Sequence, residues 1–260
     1  MKEEKRSPLT SKPLRNPGQS LDRQVADFLD DRIMLPFLAV ILIWIMAGLE
    51  WYRYFVPQSP RPGLFTVMAG VVTVYVAWDL TRMFRRYKAL KLGRDGERVV
   101  GQFLERLRED GCHVFHDIPC DKFNIDHVVI GPKGVFIVET KTISKPVRGE
   151  SKITFDGKRV LLRGMEPDRD PIVQAKAEAG WLRNFLFESA GRTVSVRPIV
   201  TFPGWYVDPP PKGVQYDVWV LNTKAIPAFI ENERETLTPE DVKLLSYHLS
   251  RYVRTTVADV

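Results

Sequence analysis

Two long apolar runs come first along the chain, and shorter patterns follow them. Ile33 to Leu49 and Pro62 to Trp78 hold no charged residue over 17 positions each. At about 1.5 Å of rise per residue, each run makes a helix of roughly 26 Å, close to the ~30 Å apolar core of a bilayer. We expect two membrane-spanning helices, with a buried helical hairpin in a soluble core as the alternative.

Beyond residue 94, segments with the apolar spacing of a helix alternate with segments that have the apolar pattern of a β-strand. One helix should run from Asp95, as its N-cap, to Gly111, and another should begin at Asp170 with Pro171 in its first position. The order predicts an α/β fold in which helices flank a mixed β-sheet. The expected strands lie at 112–118, 125–130, 135–141, 153–155, 159–162, 195–202 and 217–221, and the closing helices lie near 223–230 and 239–252.

The stretch NIDHVVIGPKGVFIVETK combines a hairpin pattern with charges at its open end. A Gly-Pro-Lys-Gly turn between two apolar runs pairs Val128 with Ile137, and continuing that register sets Asp126 opposite Glu139. Lys141 shares their face, because side chains alternate along a strand. Opposed carboxylates repel, so the patch is typical of a divalent-cation site. A one-residue bulge would break this pairing.

Lysine and arginine near the apolar runs predict the orientation of the membrane hairpin. Seven lie in residues 1–32 and six in residues 81–94, whereas the intervening loop has only Arg53 and Arg61. Positive charge favours the cytoplasmic side. We therefore expect a multi-pass protein of the cell inner membrane, with both ends of the hairpin and everything from residue 95 onward in the cytoplasm.

The net charge of +6 is not spread over the whole chain. It comes from residues 82–94, while residues 95–260 are close to neutral. One basic stretch, residues 141–163, could meet the phosphates of a polyanion or could simply be a solvated face. Cys112 and Cys120 fit neither a disulfide framework nor a zinc motif, which favours two thiols in a reducing compartment.

Three segments, GERVV, IDHVVIGPKGVFIVETK and PIVQAKAEAGWL, carry a resemblance to a known family. From about Gly93 to Phe202 the chain resembles the NERD (nuclease-related) domain of the PD-(D/E)XK nuclease superfamily, with Ile125-Asp126 in place of the usual Pro-Asp. The resemblance implies a restriction-endonuclease-like fold and a magnesium-dependent (or manganese-dependent) phosphodiesterase site. The implied catalytic residues are Lys141, Glu139, Asp126, Glu97 and Gln174, of which Asp126, Glu139 and Glu97 would hold the metal.

Each of these residues also has a structural interpretation. Lys141 could neutralise Glu139, Glu97 could be a residue of the first helical turn, and Gln174 could be an amide at the edge of the core. His127 should point to the opposite strand face from Asp126, so we interpret it as structural.

The sequence thus predicts a membrane-anchored nuclease that hydrolyses nucleic acid, with DNA favoured over RNA, on the cytoplasmic side. The alternative is a catalytically weak or inactive module of the same fold, acting as a membrane-tethered nucleic-acid-binding or scaffolding protein. The oligomeric state is not predicted. The expected divisions are a polar segment at 1–32, a hairpin in the lipid bilayer at 33–80, a basic linker at 81–94, the nuclease-like domain at 95–204 and an extension at 205–260.

Overall fold

The first two helices extend well beyond the apolar runs that predicted them. The computed structural model describes residues 14–56, 62–121, 123–145, 152–167, 169–208 and 216–256. Helix α1 spans Gln19–Tyr54 and helix α2 spans Pro62–Leu104. No proline follows the first residue of α2, so nothing breaks its backbone. The structure therefore corrects two expectations: residues 81–94 are helical rather than a linker, and Asp95 lies inside a helix rather than at its N-cap.

Residues 20–92 make one compact unit, in which α1 and α2 contact each other. Trp44 Nε1 donates to Thr73 Oγ1 across the pair at 3.0 Å. The segments Pro36–Tyr54 and Pro62–Arg108 are long and apolar enough to cross a membrane, and only 6% of the most apolar part of each is buried. These two helices are thus candidate membrane spans by length and composition. The expected loop between them is described only to residue 56.

Residues 93–260, together with residues 1–19, make the second unit. The strands are β1 His113–Pro119, β2 Asn124–Gly131, β3 Gly134–Thr140, β4 Lys152–Phe155, β5 Val160–Leu162, β6 Val196–Thr201, β7 Tyr206–Val207 and β8 Trp219–Leu221. The helices of this unit after α2 are α3 Pro171–Ala190, α4 Ile226–Glu231 and α5 Pro239–Thr256. The main sheet has the order β1-β2-β3-β6-β8, antiparallel from β1 to β3 and parallel from β3 to β8. The predicted mixed sheet with flanking helices is therefore confirmed.

The division expected at residue 204 does not separate two structural units. Strand β7 pairs with β4 in a small second sheet, and β8 adds to β6 at the edge of the main sheet. The segment after residue 204 therefore completes both sheets.

Helices cover both faces of the main sheet. Side chains from α3 and α5 pack on one face, and side chains from α2 and α4 pack on the other. Asp170 caps α3 as predicted, since its side chain accepts a hydrogen bond from the Ile172 N–H at 2.8 Å. Successive side chains of β2 and β3 point to opposite faces of the sheet, so every second residue of each strand faces α3.

Residues 14–18, directly before α1, fold into the second unit, although the sequence pattern suggested a separate polar region over residues 1–32. Arg15 is buried and its Nη1 lies 3.2 Å from Asp117 Oδ2. Pro17 packs so closely on Gly101 that a Cβ there would stand 2.5 Å from the proline ring. Residues 14–18 are thus held by one buried ion pair and by close packing on α2.

We predict that Arg15→Ala destabilises this unit by about 3 kcal/mol, because it leaves the Asp117 carboxylate buried with less compensation. Chemical denaturation of the full chain in detergent micelles, followed by tryptophan fluorescence, measures the change. Arg192→Ala is the matched control: its ion pair with Asp241, at 3.2 Å, is on the surface. That variant should lose less than about 1 kcal/mol. Equal losses in both variants would show that the burial of Arg15 adds nothing.

Candidate active site

The hairpin of β2 and β3 has the predicted register. Val128 pairs with Ile137 as expected, and the last pair before the open end is His127 with Val138. The next step of the same register sets Asp126 opposite Glu139. Asp126 Oδ2 accepts the backbone N–H of Thr140 at 2.7 Å, which ties the carboxylate to the end of β3. Repulsion from Glu139 is one cause of the raised pKa of Asp126, so the two predicted acids lie close together.

A chain of polar contacts links the end of β3 to α3. Lys141 Nζ lies 2.6 Å from Glu139 Oε1 and donates to Gln174 Oε1 at 2.7 Å. Gln174 Nε2 donates in turn to Glu178 Oε1 at 2.8 Å. Glu178 also lies close enough to Glu139 for the two carboxyl groups to repel each other. Lys141 and Gln174 are thus fixed by polar contacts between two acids.

Glu97 reaches the same cluster from α2. Its carboxyl group lies near the backbone N–H of Gly18, in the segment that precedes α1, and this N–H lowers its pKa slightly. Burial, with added repulsion from Asp117 and Glu139, raises the pKa of Glu97 to about 8. The predicted residues Glu97, Asp126, Glu139, Lys141 and Gln174 therefore share one region of the domain.

The electrostatics of the cluster disfavour several buried negative charges in the absence of a cation. Burial and repulsion from Glu139 raise the pKa of Asp126 well above its ordinary range. The same two causes raise the pKa of Glu178 to about 9. Lys141 lowers the pKa of both Glu97 and Glu178, but these lowering effects rank below burial and acid repulsion. A divalent cation would relieve this repulsion.

Three residues of this region, Glu178, Asp117 and Arg15, were not predicted from the sequence, and only Glu178 has a sequence pattern that could have identified it. Glu178 lies one turn after Gln174, on the apolar stripe that includes Ala175 and Leu182, so its helical spacing marks a buried acid. Asp117 and Arg15 gave no such signal, because they lie 102 residues apart. Asp117 also has a positive φ of 51°, an uncommon conformation for a residue on a strand.

His127 lies on the opposite strand face from Asp126, as expected. Val128, which shares a face with Asp126, packs in one core cluster, whereas Val129, which shares a face with His127, packs in the other. It is fully buried, and its Nδ1 lies 2.9 Å from Nδ1 of His116. Burial lowers the pKa of both imidazoles, which favours their neutral forms.

The donor atoms of the cluster suit magnesium or manganese, which take oxygen ligands. Glu139 Oε2 and Glu178 Oε2 are buried and have no hydrogen-bond partner. Within the described ranges, no group of three acidic, histidine or cysteine side chains forms a ready-made cage for an ion. Magnesium usually binds through one or two carboxylates and completes its shell with water and substrate phosphate. The residues present therefore fit such an ion.

Part of the basic stretch at residues 141–163 is neutralised internally. Arg159 pairs with Glu166 at 2.9 Å, and Lys152 pairs with Asp208 at 3.1 Å. Arg148 lies outside the described residues. The described part of the stretch therefore does not form a single unpaired basic surface.

Comparison with known families matches the region that contains this cluster. Residues 92–203 match the family model described as the nuclease-related domain, NERD. These residues are a nuclease-related domain. The match begins within α2 and ends just beyond β6, so the resemblance seen in the sequence motifs is confirmed for this part of the chain.

One relative gives limited further information about the nuclease-related domain. An uncharacterized protein of Bacillus anthracis is 29% identical over 87 residues, which are 32% of this chain and 41% of that protein. The chain thus spans less than half of that relative's length. No solved structure matches the chain.

We predict that metal-free protein loses stability as pH rises from about 5 to about 9. Unfolded Glu178 ionises near 4.5, whereas the folded residue keeps its proton until about 9, so folding binds a proton over this window. Glu178→Gln should therefore make the loss of stability with rising pH less steep. Part of that loss should remain, because the pKa values of Glu97 and Asp126 are also raised.

Denaturation midpoints at pH 5, 7 and 9 in the presence of a chelator measure this effect. Glu188→Gln, on the exposed face of the same helix, should keep the parental slope. A parental slope in Glu178→Gln would contradict the raised pKa of that residue.

Proposed function

We propose that this protein is a membrane-anchored, magnesium-dependent nuclease that hydrolyses phosphodiester bonds of nucleic acid, DNA rather than RNA, on the cytoplasmic side. The observation that carries the proposal is the chain of polar contacts from Glu139 through Lys141 and Gln174 to Glu178, beside Asp126. It lies within residues 92–203, the nuclease-related domain.

Asp126, Glu139 and Glu97 would hold the metal in this proposal, and Glu178 adds a fourth carboxyl group beside them. When bound, the ion would neutralise phosphate charge and lower the pKa of an attacking water. Thr140 positions Asp126 through its backbone N–H, and the backbone N–H of Gly18 lies near Glu97.

Lys141 would stabilise the negative charge that builds up on the phosphate during hydrolysis. Its Nζ is fixed between Glu139 and Gln174, so the ammonium group needs little reorganisation. Gln174 acts as a positioning residue here, because it holds Lys141 through its carbonyl and Glu178 through its amide.

An inactive binding module is not favoured. Such a module has no need to bury adjacent carboxyl groups whose mutual repulsion raises their pKa values. Catalysis with a bound cation gives these groups a role that compensates for the cost of burying them.

Membrane anchoring through residues 33–80 is a further part of the proposal. It is supported by the exposure of large apolar side chains on both long helices, for example Leu42 at 58% and Val71 at 64%. Exposed apolar surface on this scale suits a lipid environment. The lysine and arginine asymmetry favours the orientation with residues 93–260 in the cytoplasm.

We predict that Asp126→Ala abolishes both magnesium binding and cleavage, because it removes a hard oxygen ligand. Lys141→Ala should lower the cleavage rate by about 10²–10³, the usual effect of losing one preorganised charged donor. It should leave magnesium affinity equal or slightly higher, since a positive charge near the ion is lost. Calorimetric titration with magnesium and cleavage of labelled DNA and RNA measure both effects.

Lys176→Ala is the control for these variants, because its Nζ lies 3.5 Å from exposed Asp217, outside the Lys141–Gln174–Glu178 network. It should cleave at the parental rate. Parental cleavage by Lys141→Ala would contradict the assigned role of Lys141 and the proposed mechanism with it.

We predict that a cysteine placed at Phe55, which is 80% exposed, reacts in intact cells with a thiol reagent that does not cross membranes. A cysteine at exposed Lys224 should react only after the cells are permeabilised. The unsubstituted protein measures the background from Cys112 and Cys120. Labelling at position 224 in intact cells would overturn the proposed orientation.

A further inference from the structure

A groove of about 700 Å³ lies beside α2, between that helix and the segments at 204–206 and 222–225. Aromatic and aliphatic side chains supply most of its walls, and Lys224 supplies a positive charge. The lining residues are Val99, Phe103, Gly204, Trp205, Tyr206, Asn222, Thr223, Lys224 and Ala225.

The groove lies along the side of α2 that begins at Gly96, the chain neighbour of Glu97. Val99 and Phe103 follow Gly96 by three and seven residues, so the three lie along one side of α2. Thr142 packs against Gly96 so closely that a Cβ at that position would meet its hydroxyl group. Gly96 and Thr142 are the chain neighbours of Glu97 and Lys141, so this side of the helix leads from the network into the groove.

The chain after Lys141 follows the same direction. The carbonyl of Ile143 accepts a hydrogen bond from Trp205 Nε1 at 3.0 Å. Lys145 then lies over Gly204, with its Cε 3.5 Å from the place that a Cβ would occupy. The segment from 141 to 145 therefore connects the network to the wall of the groove and brings a second ammonium group there.

The chemistry of the lining suits a nucleic-acid strand. Among the described residues that line the groove none is acidic, so phosphates would meet Lys224 and Lys145 without repulsion from these walls. The Tyr206 side chain is 57% exposed, which leaves a ring available for stacking with a base. At the end nearest the network, the buried hydroxyl of Thr142 has no hydrogen-bond partner.

We propose that this groove holds one unpaired strand of nucleic acid and leads its phosphodiester backbone toward Lys141. The inference rests on the proposed nuclease function and narrows its substrate to single-stranded segments. The groove volume lies within the range of sites that bury small ligands, roughly 300–1,000 Å³, so it suits one or two nucleotides. Bases that are paired within a duplex have their faces covered and cannot stack on Tyr206.

The test measures binding without cleavage. Full-length protein in detergent micelles, with a chelator, is titrated into a labelled 12-nucleotide oligothymidylate and, separately, into a labelled blunt duplex of the same strand length. Fluorescence anisotropy gives the dissociation constants. The parental protein should bind the single strand more tightly, and Tyr206→Ala should weaken that binding about 10-fold through lost stacking.

Tyr247→Ala is the matched control, because Tyr247 is exposed to a similar extent, 61%, on α5 and outside this groove. It should bind as the parental protein does. Lys224→Ala should lower the slope of log affinity against log salt concentration by about 0.7, the value for one phosphate contact on a single strand. Lys243→Ala, an exposed lysine of α5, should leave the slope unchanged.

The two proposals fail in different ways. Equal binding by parental protein and Tyr206→Ala, tighter binding of the duplex, or no binding of either probe would overturn the groove assignment. Groove-dependent binding without magnesium-dependent cleavage by the parental protein would support the groove and contradict the nuclease function.

Discussion

The mutual repulsion of buried carboxyl groups is the constraint on which the candidate site depends. Glu139 is almost fully buried, and the register of β2 and β3 sets Asp126 opposite it. Two acids that were far apart and exposed to solvent would destabilise the fold little. Asp126 and Glu139 instead lie close together at the end of a hairpin whose other side chains are mostly apolar. Protons, Lys141 or a metal ion must therefore compensate for the buried negative charge.

The hairpin and the elements around it could be predicted from sequence because their signals are local. The Gly-Pro-Lys-Gly turn fixed the pairing of Val128 with Ile137, and Asp170 with Pro171 marked the start of α3. The start of the first helix of the domain was not predictable in this way. Asp95 is a good N-cap by type, yet helix continuity from upstream residues overrides that preference.

The remaining parts of the site depend on contacts between distant segments, which single-sequence patterns do not contain. Arg15 meets Asp117 across 102 residues, and Gly18 contacts Glu97 across the whole helical pair. Glu178 is the intermediate case. Its position on the buried stripe of α3 was readable, but its partner Gln174 was identified only through the family resemblance.

The close approach of Gly18 and Arg94 has a consequence for the architecture of the chain. A Cβ on Gly18 would lie 3.0 Å from the Arg94 side chain, so the chain leaves the unit that contains the nuclease-related domain and re-enters it at nearly the same point. In topological terms, α1 and most of α2 are an insertion into a domain whose sequence is discontinuous. A soluble form should therefore keep residues 14–18 and join them to the remainder by a short linker. Simple truncation before residue 93 would remove Arg15 and leave Asp117 without its buried partner.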